Sequence, residues 1–247
     1  METVTTADGT EIAFEQYGDG PPLIALHGSA STGKSLQPLV AQLAADYTVT
    51  VPDRRGRGAS GDGDDYSLSH EVADLHAIVD AVDGEPVVVA HSFGGLVAVA
   101  ATPTPNIDRL VLYEPAVTVG DPPEPPLSAQ VQAVAKADGK QPAMRLFFEA
   151  GAGIPDVTAM PWWPERISMD WLDTVIRELQ AIEGFALPTL DCETPMLLLT
   201  GEHGPEYLLR GARAVDDAHE GSHHVEIADV GHLGLLSEPE QVAELVT

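Results

Sequence analysis

The sequence predicts an α/β fold, a mostly parallel sheet covered by helices on both faces, with an N-terminal hairpin and a helical cap inserted after the sixth strand. Three observations carry this reading. Short apolar runs bounded by turn residues alternate with segments whose apolar residues recur at helical spacing, in the order βαβαβ up to Ala90. The run Val87 to Ala90 then passes through His91-Ser92-Phe93 directly into a Gly-, Ala- and Val-rich helix. After Leu110 to Tyr113 the alternation stops from about Val119 to Leu190 and then resumes.

Taken in order, Thr3 to Thr6 and Glu11 to Tyr17 flank Ala7-Asp8-Gly9, the signature of an antiparallel hairpin with a D-G turn. Leu23 to Leu26 reads as a buried strand ending in His27-Gly28-Ser29. The helix expected next runs from Lys34 to Ala45, with Leu36, Leu39, Val40 and Leu43 on one side. Thr48 to Val51 is a strand leading into the Gly-rich loop Asp53-Arg-Arg-Gly-Arg-Gly-Ala-Ser60. Val72, Leu75, Ile78, Val79 and Val82 mark a helix before the Val87 strand. Leu110 to Tyr113 is a further buried strand, closed by Glu114-Pro115.

The interruption opens with Asp121-Pro-Pro-Glu-Pro-Pro126, and helices are expected over Leu127 to Ala137, Pro142 to Ala150 and Trp171 to Ile182. An insertion between consecutive strands must sit at the sheet's edge or end. The expected division is therefore a core of residues 1–118 and 191–247 and a cap of 119–190. Trp162, Trp163, Phe147, Phe148 and Trp171 all fall in the cap, as a wall for an apolar pocket or as its own packing. The core resumes with strand Met196 to Thr200, helix Glu206 to Ala218, strand His224 to Ala228 and a helix from Ser237.

Composition narrows the function classes. A formal net charge of −27, with lysine only at 34, 136 and 140 and no basic patch, argues against a nucleic-acid partner. The acids are spread along the chain, which suits a salt-rich cytoplasm where molar ions screen self-repulsion. No apolar stretch reaches the roughly 18 residues of a membrane span, and the N-terminus lacks a secretory pattern, so a cytoplasmic protein is expected. Cys192 is alone and excludes an internal disulfide. The sequence sets no oligomeric state.

The chemistry centres on Ser92. A buried strand that turns straight into a helix needs a bend so tight that its apex is strained, with small residues two before and two after. Ala90 and Gly94 are those residues, and the competing role for Ser92 is an ordinary helix N-cap. A serine hydroxyl needs a base to become nucleophilic, and His232, between Gly231 and Gly234, is the candidate. His91 is expected to point elsewhere as a structural residue, and His219, His223 and His224 to lie on solvated surface rather than to bind metal. His70 and His76 read as ordinary exposed or packed positions. Arg54, Arg55 and Arg57 are expected to pair with carboxylates and brace their loop rather than to hold an anionic substrate. Gly28 to Ser35 also reads literally as a phosphate-binding loop, with Asp53 as its distant acid, but nothing else in the chain fits a nucleotide site.

In this order the motifs resemble the α/β-hydrolase superfamily, over essentially the whole chain, and look most like small capped serine hydrolases. The resemblance implies Ser92 as nucleophile, His232 as base, and the backbone amides of Ser29 and Phe93 as the oxyanion hole. It also exposes a departure. Relatives carry Gly-x-x-Asp after the penultimate strand, whereas here Gly201-Glu202-His203 is followed by Gly204. Glu114, at a strand end where haloalkane dehalogenases and some other relatives place their acid, is the favoured replacement; Glu206 and Glu202 are the alternatives. The implied activity is cofactor-free, metal-free hydrolysis of a small apolar ester or lactone. Perhydrolase or lyase chemistry on the same scaffold, or a binding protein with an incomplete triad, are the other readings.

Overall fold

The β-branched run at Val87 is buried along its whole length, which leaves it only the interior of a sheet. In the computed structural model of the chain, residues 1–63, 65–120 and 123–247 are described. Among them, one sheet contains β1 (Glu2–Thr5), β2 (Glu11–Tyr17), β3 (Pro22–Leu26), β4 (Thr48–Pro52), β5 (Val87–His91), β6 (Arg109–Tyr113), β7 (Met196–Gly201) and β8 (Ser222–Ile227). Their spatial order is β1-β2-β4-β3-β5-β6-β7-β8. β2 pairs antiparallel with both β1 and β4, and the pairings from β4 through β8 are parallel. The hairpin turn forms at Asp8, whose Oδ1 accepts from Thr6 Oγ1 at 2.6 Å and from the Thr10 N–H at 3.0 Å.

The two-residue period of the strands divides the apolar residues between two cores. Ile24, Val88, Leu110, Leu112 and Leu198 face α2 (Leu68–Ala81), α3 (Phe93–Ala100) and α7 (Glu206–Asp217). Leu23, Val87, Val89, Val111 and Leu199 face α1 (Gln37–Leu43) and α9 (Pro239–Val246). Between β6 and β7 lie α4 (Leu127–Asp138), α5 (Lys140–Leu146) and α6 (Leu172–Gly184). They share a third core with Phe147, Phe148 and Trp163, and Ala30 of the loop after β3 is part of it. Of the Asp121–Pro126 run that opens this segment, the first two residues lie outside the described ones.

Three expected helices are divided or changed. Residues 33–36 form a 3₁₀ turn and α1 begins only at Gln37, because Pro38 has no N–H to continue a helix from Lys34 but fits a first turn. Pro239 likewise separates α8 (Gly234–Ser237) from α9. The helix expected to reach Ala150 keeps α geometry to Leu146 and then widens into a π turn over Phe147–Gly151, which no local sequence signal marks.

Candidate active site

Ser92 stands where β5 gives way to α3, at φ 54° and ψ −117°, a backbone conformation costly for any residue with a Cβ. Neighbouring strands hold it there. Its N–H donates to the Tyr113 carbonyl at 3.0 Å, and its carbonyl accepts from Leu96 at 3.1 Å and Ala116 at 2.9 Å. Ser92 occupies the N-cap position of α3, yet its side chain makes no capping bond. The ordinary use of serine at a helix start is thus not the one adopted. Its hydroxyl is left half-buried at the C-terminal end of the sheet, where open parallel sheets bind ligands.

His232 follows β8, and its Nδ1 lies 2.6 Å from Glu114 Oε2. A carboxylate oxygen at that distance requires the proton on Nδ1, which leaves Nε2 as the nitrogen able to accept one. Glu114 is wholly buried, with φ 43°, and its Oε1 accepts from the Gly201 N–H at 2.9 Å. Both oxygens are therefore satisfied, as burial demands. The alternatives are elsewhere: Glu202 is exposed and accepts from the Asp229 N–H at 3.0 Å, and Glu206 is exposed in the first turn of α7. A Cβ on Gly204 would lie 2.1 Å from Glu114 Oε1. The Glu114 carboxylate, just after β6, fills the space a side chain at 204 would need.

Among the described residues no hydrogen bond joins Ser92 Oγ to His232; such bonds commonly tighten only around substrate. His91, the neighbour of Ser92 at the end of β5, packs against His232. Its ring lies 4.6 Å from that of His232, and its Nε2–H donates to the His232 carbonyl at 2.9 Å. His91 thus makes the kind of backbone contact expected of a structural residue, but beside His232 rather than turned away from it: as the last residue of β5 it meets the loop after β8 across the end of the sheet. Burial, then the neighbouring His232, push the His91 pKa down to about 3, so the ring is neutral. On the other side, a Cβ on Gly28 would lie 3.0 Å from Ser92 Cβ. The backbone leading to Ser29 therefore passes against the serine, while Phe93 begins α3, where N–H groups have no intrahelical acceptor.

The chain has relatives. The sequence profile of the alpha/beta hydrolase family matches residues 23–245. The chain belongs to the alpha/beta hydrolase family. A crystal structure of an alpha/beta hydrolase from Sphaerobacter thermophilus superposes with a TM-score of 0.83 at 30% identity, covering 100% of both chains. A cis-3-alkyl-4-alkyloxetan-2-one decarboxylase from Shewanella oneidensis is 30% identical over 113 residues, which is 42% of this chain and 36% of that protein, so the match spans about a third of the relative's length. A 3-hydroxybutyrate-oligomer hydrolase from Cupriavidus necator is 24% identical over 98% of this chain and 94% of its own.

In this alpha/beta hydrolase the arginine loop after β4 is buried and paired. Arg54 donates to Glu71 at 2.8 and 3.1 Å and to Glu178, Arg55 to Asp74 at 2.6 and 2.7 Å, and Arg57 to Glu178 at 2.8 Å. Burial opposes the Arg54 charge, but Glu71 and Glu178 together outweigh it and raise its pKa; for Arg57 burial prevails and lowers it. The phosphate-loop reading fails on a particular contact, because Asp53 Oδ1 accepts from the Gly33 N–H at 2.9 Å and its Oδ2 from Ala59 at 2.9 Å. The carboxylate fills the turn that a phosphate would need. His219 is buried and bonded to the Cys192 carbonyl at 3.0 Å, so it is not the solvated residue expected, whereas His223 is exposed and His224 is half-buried, bonding Thr200 Oγ1 at 2.9 Å. Glu202, His203 and Asp229 bring ligand atoms within 4.8 Å of one another, but all three are exposed. A groove of about 970 Å³ runs between the Gly56–Asp62 loop and α4 and α6, lined by Arg57, Trp171 and Arg177 but not by Ser92, Glu114 or His232. No helix among the described residues is long and apolar enough to cross a membrane.

Proposed function

We propose that the chain is a cofactor-free serine hydrolase of small carboxylic esters or lactones, working through an acyl-enzyme at Ser92. The observation that carries this is the 2.6 Å contact between His232 Nδ1 and Glu114 Oε2, at the same end of the sheet as a strained serine whose hydroxyl is not used as a cap. Ser92 Oγ attacks the substrate carbonyl carbon as its proton passes to His232 Nε2. The Ser29 and Phe93 amides receive the charge on the carbonyl oxygen. Collapse breaks the bond to the leaving alkoxide, which takes the proton from His232. Water then gives a proton to His232, adds to the acyl carbon, and releases the acid as Ser92 recovers its proton. Glu114 holds the tautomer and stabilises the imidazolium.

Residues 119–190 act in this reading as a cap. Ala30 and Leu233, next to Ser29 and His232, both pack into the cluster of Phe147, Phe148, Trp162 and Trp163, so an apolar acyl or alkyl group is the best fit. The names of two relatives point the same way, one to a four-membered lactone ring and one to oligomers of a hydroxy acid. The decarboxylase also favours a second reading, in which an intact oxetan-2-one ring breaks its C4–O and C2–C3 bonds to release carbon dioxide and leave an alkene, with no acyl-serine formed. The expected result is turnover of short-chain p-nitrophenyl esters in molar KCl without added metal or cofactor, abolished in Ser92→Ala. Equal rates in wild type and variant would refute the assignment, and carbon dioxide release from an oxetan-2-one would select the second reading.

A further inference from the structure

The buried Arg54 guanidinium touches both halves of the proposed oxyanion hole. Its Nη1 donates to the Gly28 carbonyl at 3.1 Å and more weakly to that of His27 at 3.4 Å, and its plane lies over the Phe93 ring, 4.5 Å from the centroid. The Gly28 carbonyl accepts a second bond, from His27 Nδ1–H at 2.8 Å, and His27 Nε2 accepts from the Arg54 backbone N–H at 3.0 Å. These bonds fix His27 as the neutral Nδ1–H tautomer.

The Gly28 carbonyl and the Ser29 N–H belong to one planar peptide unit, which is not among the cis bonds of the structure. Two donors clamping the oxygen therefore set the direction of the N–H at the opposite edge of the same plane. They also polarise the unit and strengthen that N–H as a donor. The positive charge that does this is held by two carboxylates, Glu71 from α2 and Glu178 from α6. Glu178 is wholly buried, comes from the segment between β6 and β7, and also holds Arg57 at 2.8 Å.

We propose that Arg54 is a positioning residue for the oxyanion hole, aligning the Ser29 amide through the Gly28 carbonyl and bracing Phe93, and that Glu178 latches it to the cap. Arg54 does not touch substrate; it acts through the amides that do. The inference rests on the serine-hydrolase reading above. Lysine at 54 keeps the charge but lacks the flat fork needed to reach the carboxylates and the carbonyl together. The effect belongs to the transition state, where the oxyanion exists, and is smaller than the 10²- to 10³-fold loss seen when a donor is deleted.

The test compares wild type, Arg54→Lys and Glu178→Gln by turnover of a p-nitrophenyl ester, by affinity for phenylboronic acid, and by labelling with a fluorophosphonate. Arg54→Lys is expected to lower kcat about tenfold to a hundredfold, with KM changed less than about threefold. Boronate affinity, which reports the tetrahedral serine adduct, falls in parallel. Glu178→Gln keeps the side chain's shape and is expected to give a smaller, parallel loss of about two- to fivefold. Folded Arg54→Lys with unchanged kcat and boronate affinity overturns the proposal. If that variant does not fold, unchanged values in Glu178→Gln overturn it instead. Wild type that takes no fluorophosphonate overturns the serine-hydrolase reading itself, and this inference with it; labelled wild type with unaffected variants overturns only the role of Arg54.

Discussion

At the scale of single residues, the placement of Glu114 makes the sharpest predictions. Glu114→Gln keeps the shape of the side chain but lets Nδ1 face an amide, so kcat should fall about 10³- to 10⁴-fold in ester turnover with little change in KM. Because the carboxylate fills the space over Gly204, Glu114→Ala combined with Gly204→Asp should regain at least tenfold over Glu114→Ala alone. Equal rates for the single and double variants would contradict the exchange. His91 yields a pH dependence. Its unfolded pKa is near 6.5 and its folded pKa about 3, so below 6.5 the unfolded chain takes up a proton that the folded chain refuses. The stability of the neutral ring is complete above 6.5 and drains as pH falls toward 3, at a limiting slope of about 1.4 kcal/mol per pH unit. In urea unfolding at fixed KCl, His91→Gln, which retains a donor for the His232 carbonyl, should flatten the fall between pH 6.5 and 4; an identical slope counts against it. The positions of Ser92 just after β5 and of Glu114 just after β6 were legible in the sequence because each follows a short apolar strand with a recognisable turn, and Gly204 pointed to Glu114 as the partner of His232. The roles of His91 and Arg54 were not, because they depend on which distant backbone carbonyl a ring or guanidinium meets.

At the scale of elements, the seam between α6 and the loop after β4 is where the structure departs most from what periodicity reveals. Val175, Ile176 and Leu179 mark a core-facing helix, but Glu178 lies among them, fully buried between two arginines. Removing one member of such a group leaves uncompensated charge in the interior. Glu178→Ala should destabilise the protein by about 3–5 kcal/mol in urea unfolding. Lys140→Ala breaks an exposed pair with Asp170 and should leave the midpoint unchanged. Equal effects from the two would mean that burial does not govern this seam. The strands were legible because their apolar runs are short and bounded. Helix starts were displaced where Pro38 and Pro239 reset the hydrogen-bond ladder, and the π turn at Phe147–Gly151 places Phe147 and Phe148 in the third core without a local sequence signal.

At the scale of the molecule, parallel βαβ connections deliver residues 92, 114 and 232 to one end of one sheet, although 118 residues separate His232 from Glu114. The order of the alternating segments made that closure predictable, whereas the way the helices between β6 and β7 pack among themselves was not. A net charge of −27 acts on the whole surface. Raising KCl shortens the Debye length from about 10 Å at 0.1 M to about 3 Å at 1 M, so the urea midpoint should climb steeply over that range; salt-indifferent unfolding would argue against a salt-rich cytoplasm. The central claim is that the fold makes the Ser92 hydroxyl nucleophilic by bringing His232 to it. Intact-protein mass after treatment with a fluorophosphonate measures this directly. The account predicts one adduct, located at Ser92, absent in Ser92→Ala and formed far more slowly in His232→Ala. Folded wild-type protein that gains no mass, or an adduct that persists in Ser92→Ala, would contradict it.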